Sequence, residues 1–328
     1  MKSRKRLILP ILMVMLLAVT GCTSNQEEKK NSNPKDRQET KSTDTIKYEV
    51  TEAKPVKISR IFGVGYPGND QALYVASNAG LKMFIDGKWF ETTTNNHKYM
   101  GFQAVESGFI SSGHPQKGAD LKDPLGLVRS TDKGETLEKL AFYGQANFVF
   151  MAAGYSNSNL YLISDQQKNG LSMGVNYSKD NGETWKKSEL NGFKSDSLGM
   201  IAVHPAYGDT IAMATRSGIY YSNDNGNTMK LISDPVMITA LAFAGDLIIF
   251  SSVENEQILL KTLNPSSGEQ ISLNIPFLDY DNPITYITVN PKNPMQIAFS
   301  TYKNDLYETV DVGKSWENLL KEGKKESE

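Results

Sequence analysis

The chain has 328 residues, 39% hydrophobic and 22% charged, which is enough to bury a large core and unlike collagen, a coiled coil or a disordered polymer. One cysteine excludes an intrachain disulfide framework, a Cys-rich zinc site and a CxxC redox pair, and three histidines leave little material for a metal centre. A formal net charge of -2 lacks the basic footprint of a nucleic-acid binder, so no nucleic-acid partner is expected.

The N-terminus comes first. Lys2, Arg4, Lys5 and Arg6 precede an apolar run from Leu7 to Thr20, the layout of a secretory signal peptide. The run is shorter than the roughly 20 residues a spanning helix needs, and Pro10 weakens it further. Its end, Val19-Thr20-Gly21-Cys22, resembles the lipobox of bacterial lipoproteins, which implies that Cys22 is lipidated through its thiol and becomes the mature N-terminus. A buried cysteine in an uncleaved helix is the competing reading. Removing residues 1–21 deletes four basic groups and no acidic ones, taking the charge from -2 to -2 - 4 = -6. Attraction to anionic lipid therefore gives no anchorage, whereas two acyl chains on Cys22 suffice. Residues 22–46 carry no aromatic side chain and balanced charges, and read as a solvated tether; residues 321–328 read as a frayed tail.

Between them the sequence repeats. Ser130-Thr-Asp132-Lys-Gly134-Glu-Thr136-Leu137, Ser178-Lys-Asp180-Asn-Gly182-Glu-Thr184-Trp185, Ser222-Asn-Asp224-Asn-Gly226-Asn-Thr228-Met229 and Thr309-Val-Asp311-Val-Gly313-Lys-Ser315-Trp316 share one pattern, with starts 48, 44 and 87 residues apart. Since 87 is close to twice 44, a decayed copy is expected near residue 266, where Asn264-Pro-Ser-Ser-Gly268 supplies turn chemistry; Asp86-Gly87 marks another upstream. Asp bonds backbone N–H groups just ahead of it and Gly takes a positive φ, so each copy reads as a tight hairpin. None supplies the alternating ligands and late Glu of a calcium loop. Tyr66-Pro67, His204-Pro205 and Asn290-Pro291 repeat independently, each ahead of a strand apolar on both faces (LYVAS, IAMAT, IAFST).

The four copies resemble the Asp box, or BNR repeat, of sialidases and related β-propellers. Residues 47–320 are therefore expected to form an all-β propeller of six four-stranded blades, in blade four near residues 200–203, 210–215, 218–222 and 228–232. A strand near residues 48–52 completes an edge or marks a degenerate seventh blade. A two-sheet sandwich and a β-helix are the other architectures considered. The resemblance places the boxes on the face opposite the usual binding face. Asp132, Asp180, Asp224 and Asp311 then read as structural, with Gly134, Gly182, Gly226, Gly313, Trp185 and Trp316, and His204 as a turn residue.

What remains for function is the opposite, top face. Its loops lie between second and third strands and between blades. The loop from Ser111 to Gly126 is about ten residues longer than its counterparts and is the first choice for a site, with a lid over the central channel as its alternative. Candidate ligand-binding residues are His114, Arg60, Asn78, Arg216 and Tyr302. Tyr99, Tyr143, Tyr155, Tyr280 and Tyr302 could supply an aromatic rim. Glycosidase chemistry needs two carboxylates about 5 to 9.5 Å apart; Asp120, Asp123 and Asp165 are the weak candidates, with Glu254, Asp279, Asp281 and Asp305 on other top loops.

The stretch SSGHP…DPLGLVRSTDKGETLE is similar to a group of secreted bacterial BNR-repeat proteins, often lipoproteins, described as glycosyl hydrolase-like or sortilin-like. That group carries histidine-rich segments where this chain reads Arg60-Ile61-Phe62-Gly63, Ala76-Ser77-Asn78 and Asn147-Phe148-Val149. Only His114 remains, so neither a metal nor another cofactor is expected. A sialidase arginine triad would have to come from Arg60, Arg129 and Arg216, all at strand ends or turns. The sequence thus leads to a monomeric, lipid-anchored propeller on the extracytoplasmic face of the cell membrane. Its top face is expected to bind a protein, peptide or glycan, the alternative being a glycan-active hydrolase.

Overall fold

The computed structural model describes residues 47–325. Cys22, the signal-peptide expectation for 1–21 and the tether expectation for 22–46 lie outside the described residues. Six antiparallel sheets and no helix make up the described part, arranged as a ring of blades. Blade one contains β2 (Ile61–Gly65), β3 (Leu73–Ser77), β4 (Gly80–Ile85) and β5 (Lys88–Thr92), with β1 (Val50–Glu52) added at its outer edge. The β1 strand pairs antiparallel with β5, Val50 opposite Thr92, so the strand near residues 48–52 completes an edge and starts no seventh blade. Blade two is β6 (Lys98–Val105), β7 (Gly108–His114), β8 (Leu127–Ser130) and β9 (Glu138–Ala141). Blade three is β10 (Met151–Ala153), β11 (Leu160–Ser164), β12 (Gly174–Ser178) and β13 (Lys186–Lys187). Blade four is β14 (Ile201–Val203), β15 (Ile211–Thr215), β16 (Gly218–Ser222) and β17 (Lys230–Leu231), close to the sequence expectation. Blade five is β18 (Met237–Ala244), β19 (Leu247–Glu254), β20 (Gln257–Leu263) and β21 (Gln270–Leu273), and blade six is β22 (Ile284–Asn290), β23 (Asn293–Thr301), β24 (Leu306–Thr309) and β25 (Glu317–Leu320).

Burial follows position in the blade. The second strands β3 and β15 are buried along their whole length, because both faces are covered by neighbouring blades. The outermost β13 and β17 expose every residue. Hydrophobic clusters accordingly form between blades: Phe299 of blade six packs with Ile249 and Leu260 of blade five, and Met213 and Tyr220 of blade four with Tyr161 and Val175 of blade three.

The ring closes between blades one and six. Ala298, Leu306 and Leu320 share a cluster with Ile58, Val64 and Val75. The Tyr66 hydroxyl donates to Glu308 Oε1 at 2.6 Å within this interface. Residues 321–325, expected to fray, instead turn back and join the closure. Ile58 N donates to the Gly323 carbonyl at 2.7 Å, Gly323 N to the Asn304 carbonyl at 2.9 Å and Glu322 N to Asp305 Oδ1 at 2.8 Å. Backbone groups left unpaired by the last strand find partners in the segment entering the first.

The four repeated hairpins are alike in atomic detail. In the blade-three copy Ser178 Oγ donates to Asp180 Oδ1 (2.7 Å) and accepts from Gly182 N (2.8 Å), while Asp180 accepts from Thr184 N (2.9 Å) and Thr184 Oγ1 (2.5 Å). The blade-six copy repeats this with Thr309, Asp311, Gly313 and Ser315. The hydroxyl and backbone donors of Thr184 hold the Asp180 carboxyl down to about 2, and those of Ser315 do the same for Asp311. In every copy both residues after the Asp are left-handed: Lys133, Asn181, Asn225 and Val312 have φ between 56° and 64°, followed by Gly134, Gly182, Gly226 and Gly313 at 78° to 93°. In the decayed blade-five copy Asn264 Oδ1 accepts from Ser266 N (2.9 Å) and Ser267 N (3.2 Å), so an amide stands in for the carboxylate. Blade one uses the two-residue Asp86-Gly87 turn, with φ 51° and 73°, to join β4 and β5.

Candidate functional site

All six innermost strands contribute to one central channel, a cavity of about 170 Å³. Its walls are apolar, with Phe62, Phe102, Phe150, Met200, Leu241 and Tyr286 each from a different blade. No charged side chain lines it; Gln103, Thr288 and tyrosines are its polar groups. This follows from the blade pattern, since an innermost strand turns one face to its neighbours and the other to the channel, and both are apolar here. At the top end Val149 and Phe150 are exposed (44% and 56%), presenting apolar surface to solvent.

The top mouth carries two of the sequence candidates. Arg60 N donates to Asn78 Oδ1 (3.0 Å) and Asn78 N to the Arg60 carbonyl (3.1 Å), a reciprocal clasp between the start of β2 and the β3–β4 turn. The clasp sets the Arg60 guanidinium over the Phe62 ring, 5.3 Å from its centroid. Burial raises the Tyr286 hydroxyl pKa, and the nearby Arg60 charge opposes that rise. Asn78 stands on a turn built by Ser77, whose Oγ donates to the Gly80 carbonyl (2.8 Å) and accepts from Ala79 N (3.0 Å). Thr215 builds the equivalent turn in blade four and leaves Arg216 exposed at its tip. Tyr302 is 71% exposed on the blade-six turn, its backbone N held by the Pro283 carbonyl at 2.9 Å.

The long loop after β7 does not line the channel. It is pinned over its own blade: Gln116 N donates to His97 Nδ1 (2.9 Å), Gln116 Oε1 accepts from Asn96 N (2.7 Å), and Lys122 N donates to the Tyr143 hydroxyl (2.7 Å). His97, buried and held at a pKa of about 4 by that burial, stays neutral and can accept this bond. His114 Nδ1 lies 2.6 Å from Asp123 Oδ1, so two of the loop's candidate residues meet each other. Asp120 is exposed on the same loop. Asp165 lines a separate cleft of about 200 Å³ with Lys168, Gln166 and Asn147. None of Asp120, Asp123 and Asp165 lines the channel.

Several candidates have other work. Tyr99 is fully buried, in edge contact with Phe109 at 5.0 Å, and forms no rim. Tyr155 lies beyond β10, on the face opposite the mouth. Asp305 is buried and accepts from Asn282 Nδ2 (2.7 Å) and Thr301 Oγ1 (3.2 Å). Glu254 is paired with Lys261 (2.7 Å) and Asp281 with Lys303 (2.7 Å). Arg129 reaches across blades to Asn181 Oδ1 at 2.5 Å, a structural link. His204 accepts from Ala206 N and Tyr207 N through Nδ1, both at 3.2 Å, which is turn chemistry. Among the described residues no group of three or more His, Cys, Asp or Glu is placed to hold a metal ion.

Lys98 at the channel mouth and the lining residues Phe62, Phe150 and Tyr286 were not legible as a group. They come from blades one, two, three and six and meet only through ring closure. The one available signal was positional, since Arg60 and Lys98 both stand at the start of an innermost strand.

Comparison with known proteins agrees with the fold. Residues 126–282 match the family profile described as Sortilin-Vps10 (sortilin, neurotensin receptor 3), a stretch from late in blade two to the approach to blade six. No curated protein matches the chain by sequence. Among solved structures, the glycoside hydrolase family 74 xyloglucanase of Xanthomonas campestris superposes with a TM-score of 0.52 and 17% identity over 84% of this chain and 47% of that one. The family 74 enzyme of Niastella koreensis gives 0.52 and 16% over 83% and 47%. This chain therefore spans about half the length of those enzymes. A chain of the nidogen/laminin complex gives 0.53 and 11% identity over 75% of this chain and 92% of its own. These likenesses establish the β-propeller fold, and the profile match makes residues 126–282 similar to sortilin.

Proposed function

We propose that this chain is a binding or assembly module, a lipid-anchored Asp-box propeller that presents its top face to a protein, peptide or glycan outside the cell. The observation that carries the reading is the channel: lined mostly by apolar side chains from all six blades, without a carboxylate among the described lining residues, and opening beside exposed Phe150, Arg60 and Asn78. Apolar surface beside a few convergent polar groups is the composition of a binding site. Glycosidase chemistry needs paired carboxylates; none of Asp120, Asp123 and Asp165 lines the channel, and Asp165 is the one carboxylate among the described residues of the neighbouring cleft. The structural likenesses include both a xyloglucanase and a nidogen/laminin complex, so they leave this choice to the site itself.

The test is a glycan and peptide array probed with the unit from Ile46 onward, which contains the whole ring. Capture should fall with Phe150→Asp. An array that captures nothing, or capture indifferent to Phe150→Asp and to Arg60→Ala, overturns the reading. Anchorage through Cys22 is tested separately: a Cys22→Ala chain should lose palmitate labelling and membrane association, and retention of both refutes the anchor.

A further inference from the structure

The channel mouth holds a second cation. Lys98 opens β6, and its Nζ lies 5.3 Å from the Phe62 centroid, the same distance as the Arg60 guanidinium carbon. Two positive charges therefore each lie within cation–π range of one ring that lines the channel. Among the described residues neither forms an ion pair, whereas Lys82 pairs with Glu91, Lys133 with Asp70, Lys261 with Glu254 and Lys303 with Asp281. The electron-rich ring face holds each cation but does not neutralise it. An anion at the mouth that reaches either cation would gain a charge-assisted hydrogen bond, and one that reaches both would gain two. Below the ring most of the lining side chains are apolar, with Gln103 and Thr288 among them as polar groups. A dry apolar cavity of about 150 Å³ takes one benzene, so this one suits a single aromatic ring or an alkyl chain of about six carbons.

We propose that the mouth is a recognition site for a carboxylate carried on one apolar group, the anion held by Arg60 and Lys98 and the apolar part in the channel beside Phe62. The proposal rests on reading the top face as a binding surface and names the chemistry it selects. That chemistry can come from a free aliphatic or aromatic acid, or from an acidic side chain next to an apolar one in a peptide.

Calorimetry on the unit from Ile46 onward tests it with hexanoate, hexanol and hexylammonium as probes. Hexanoate should bind at least tenfold more tightly than hexanol, and hexylammonium more weakly than either. Arg60→Gln and Lys98→Gln should each weaken hexanoate several-fold, and the double variant should bring it to the level of hexanol without changing hexanol itself. Both cationic ends touch the Phe62 ring, so an unchanged circular dichroism spectrum and urea midpoint check that the variants keep the fold. Hexanoate binding no tighter than hexanol, or unchanged in the double variant, overturns the proposal. A blocked peptide, acetyl-Gly-Asp-Phe-Gly-amide, separates the sources: binding with the same variant dependence supports a peptide-borne ligand, and binding of hexanoate alone supports a free acid. An array ligand whose capture survives the double variant overturns the carboxylate site but leaves the binding reading intact. An empty array together with charge-dependent hexanoate binding does the reverse.

Discussion

Val312 is the one β-branched residue at the left-handed position shared by the four repeated hairpins, with φ 59°, where the others have Lys or Asn. For an L residue this region costs about 1–2 kcal/mol, least for Asn and most for a branched side chain. Little else depends on the side chain, which is 41% exposed, while its backbone N–H donates to the Met295 carbonyl at 3.0 Å whatever residue stands there. Val312→Asn should therefore stabilise the propeller by about 1 kcal/mol, seen as a rise in the urea midpoint at unchanged slope or as a gain of about 2 °C in Tm. Val312→Gly should gain less, because the backbone freedom that relieves strain also widens the unfolded ensemble. Val310→Asn is the control: it removes a residue 60% exposed in the same hairpin, without a left-handed φ to relieve. A neutral or destabilising Val312→Asn, or an equal gain from Val310→Asn, refutes the strain argument.

Other consequences follow from the same geometry. Ser178→Ala leaves the buried Gly182 N–H without its acceptor and should cost about 1–3 kcal/mol by urea unfolding; Thr309→Ser, which keeps the hydroxyl, should cost much less than Thr309→Ala. Tyr66→Phe removes the bond to Glu308 that ties blade one to blade six and should cost about 1.5–3 kcal/mol, with a loss below 0.5 kcal/mol counting against its part in ring closure. The Asp180 and Asp311 carboxyls sit at about 2, against about 3.9 for an unfolded Asp. Because the folded value is the lower, their contribution is complete above the unfolded value and drains away as pH falls through about 2. Urea midpoints measured from pH 5 downward should show this acid limb, and Asp180→Asn with Asp311→Asn should flatten it; an identical limb in the double variant would contradict the assignment.

The blades were legible because their signals are local. A Ser-x-Asp-x-Gly hairpin carries its own hydrogen bonds within seven residues, and Ile211–Thr215 reads as a doubly covered strand from its own letters. Blade five was harder, since Asn264 does by amide what Asp does elsewhere. Ring closure was not legible: nothing in the last residues announces that Gly323 will meet Ile58 or that Glu308 will meet Tyr66. The grouping of residues at the channel mouth was hidden for the same reason. Arg60 and Asn78 were found separately, as a strand start and a turn; their clasp forms only when β2 pairs with β3 in blade one, and Lys98 reaches the ring under Arg60 only once the first two blades stand side by side. The long loop stands out in the sequence by length alone, and the structure shows what that could not: Gln116 fastens it to His97 and Asn96, away from the channel.

The most direct test is to recover a captured ligand and ask whether it is intact. Prolonged incubation of the wild-type unit with the glycan or peptide that it captures, followed by mass spectrometry, should return the ligand uncleaved, and Phe150→Asp should abolish its capture. A cleaved glycan whose production is lost with Asp165→Asn but retained with Phe150→Asp would move the activity from the apolar channel to the neighbouring cleft and contradict the account.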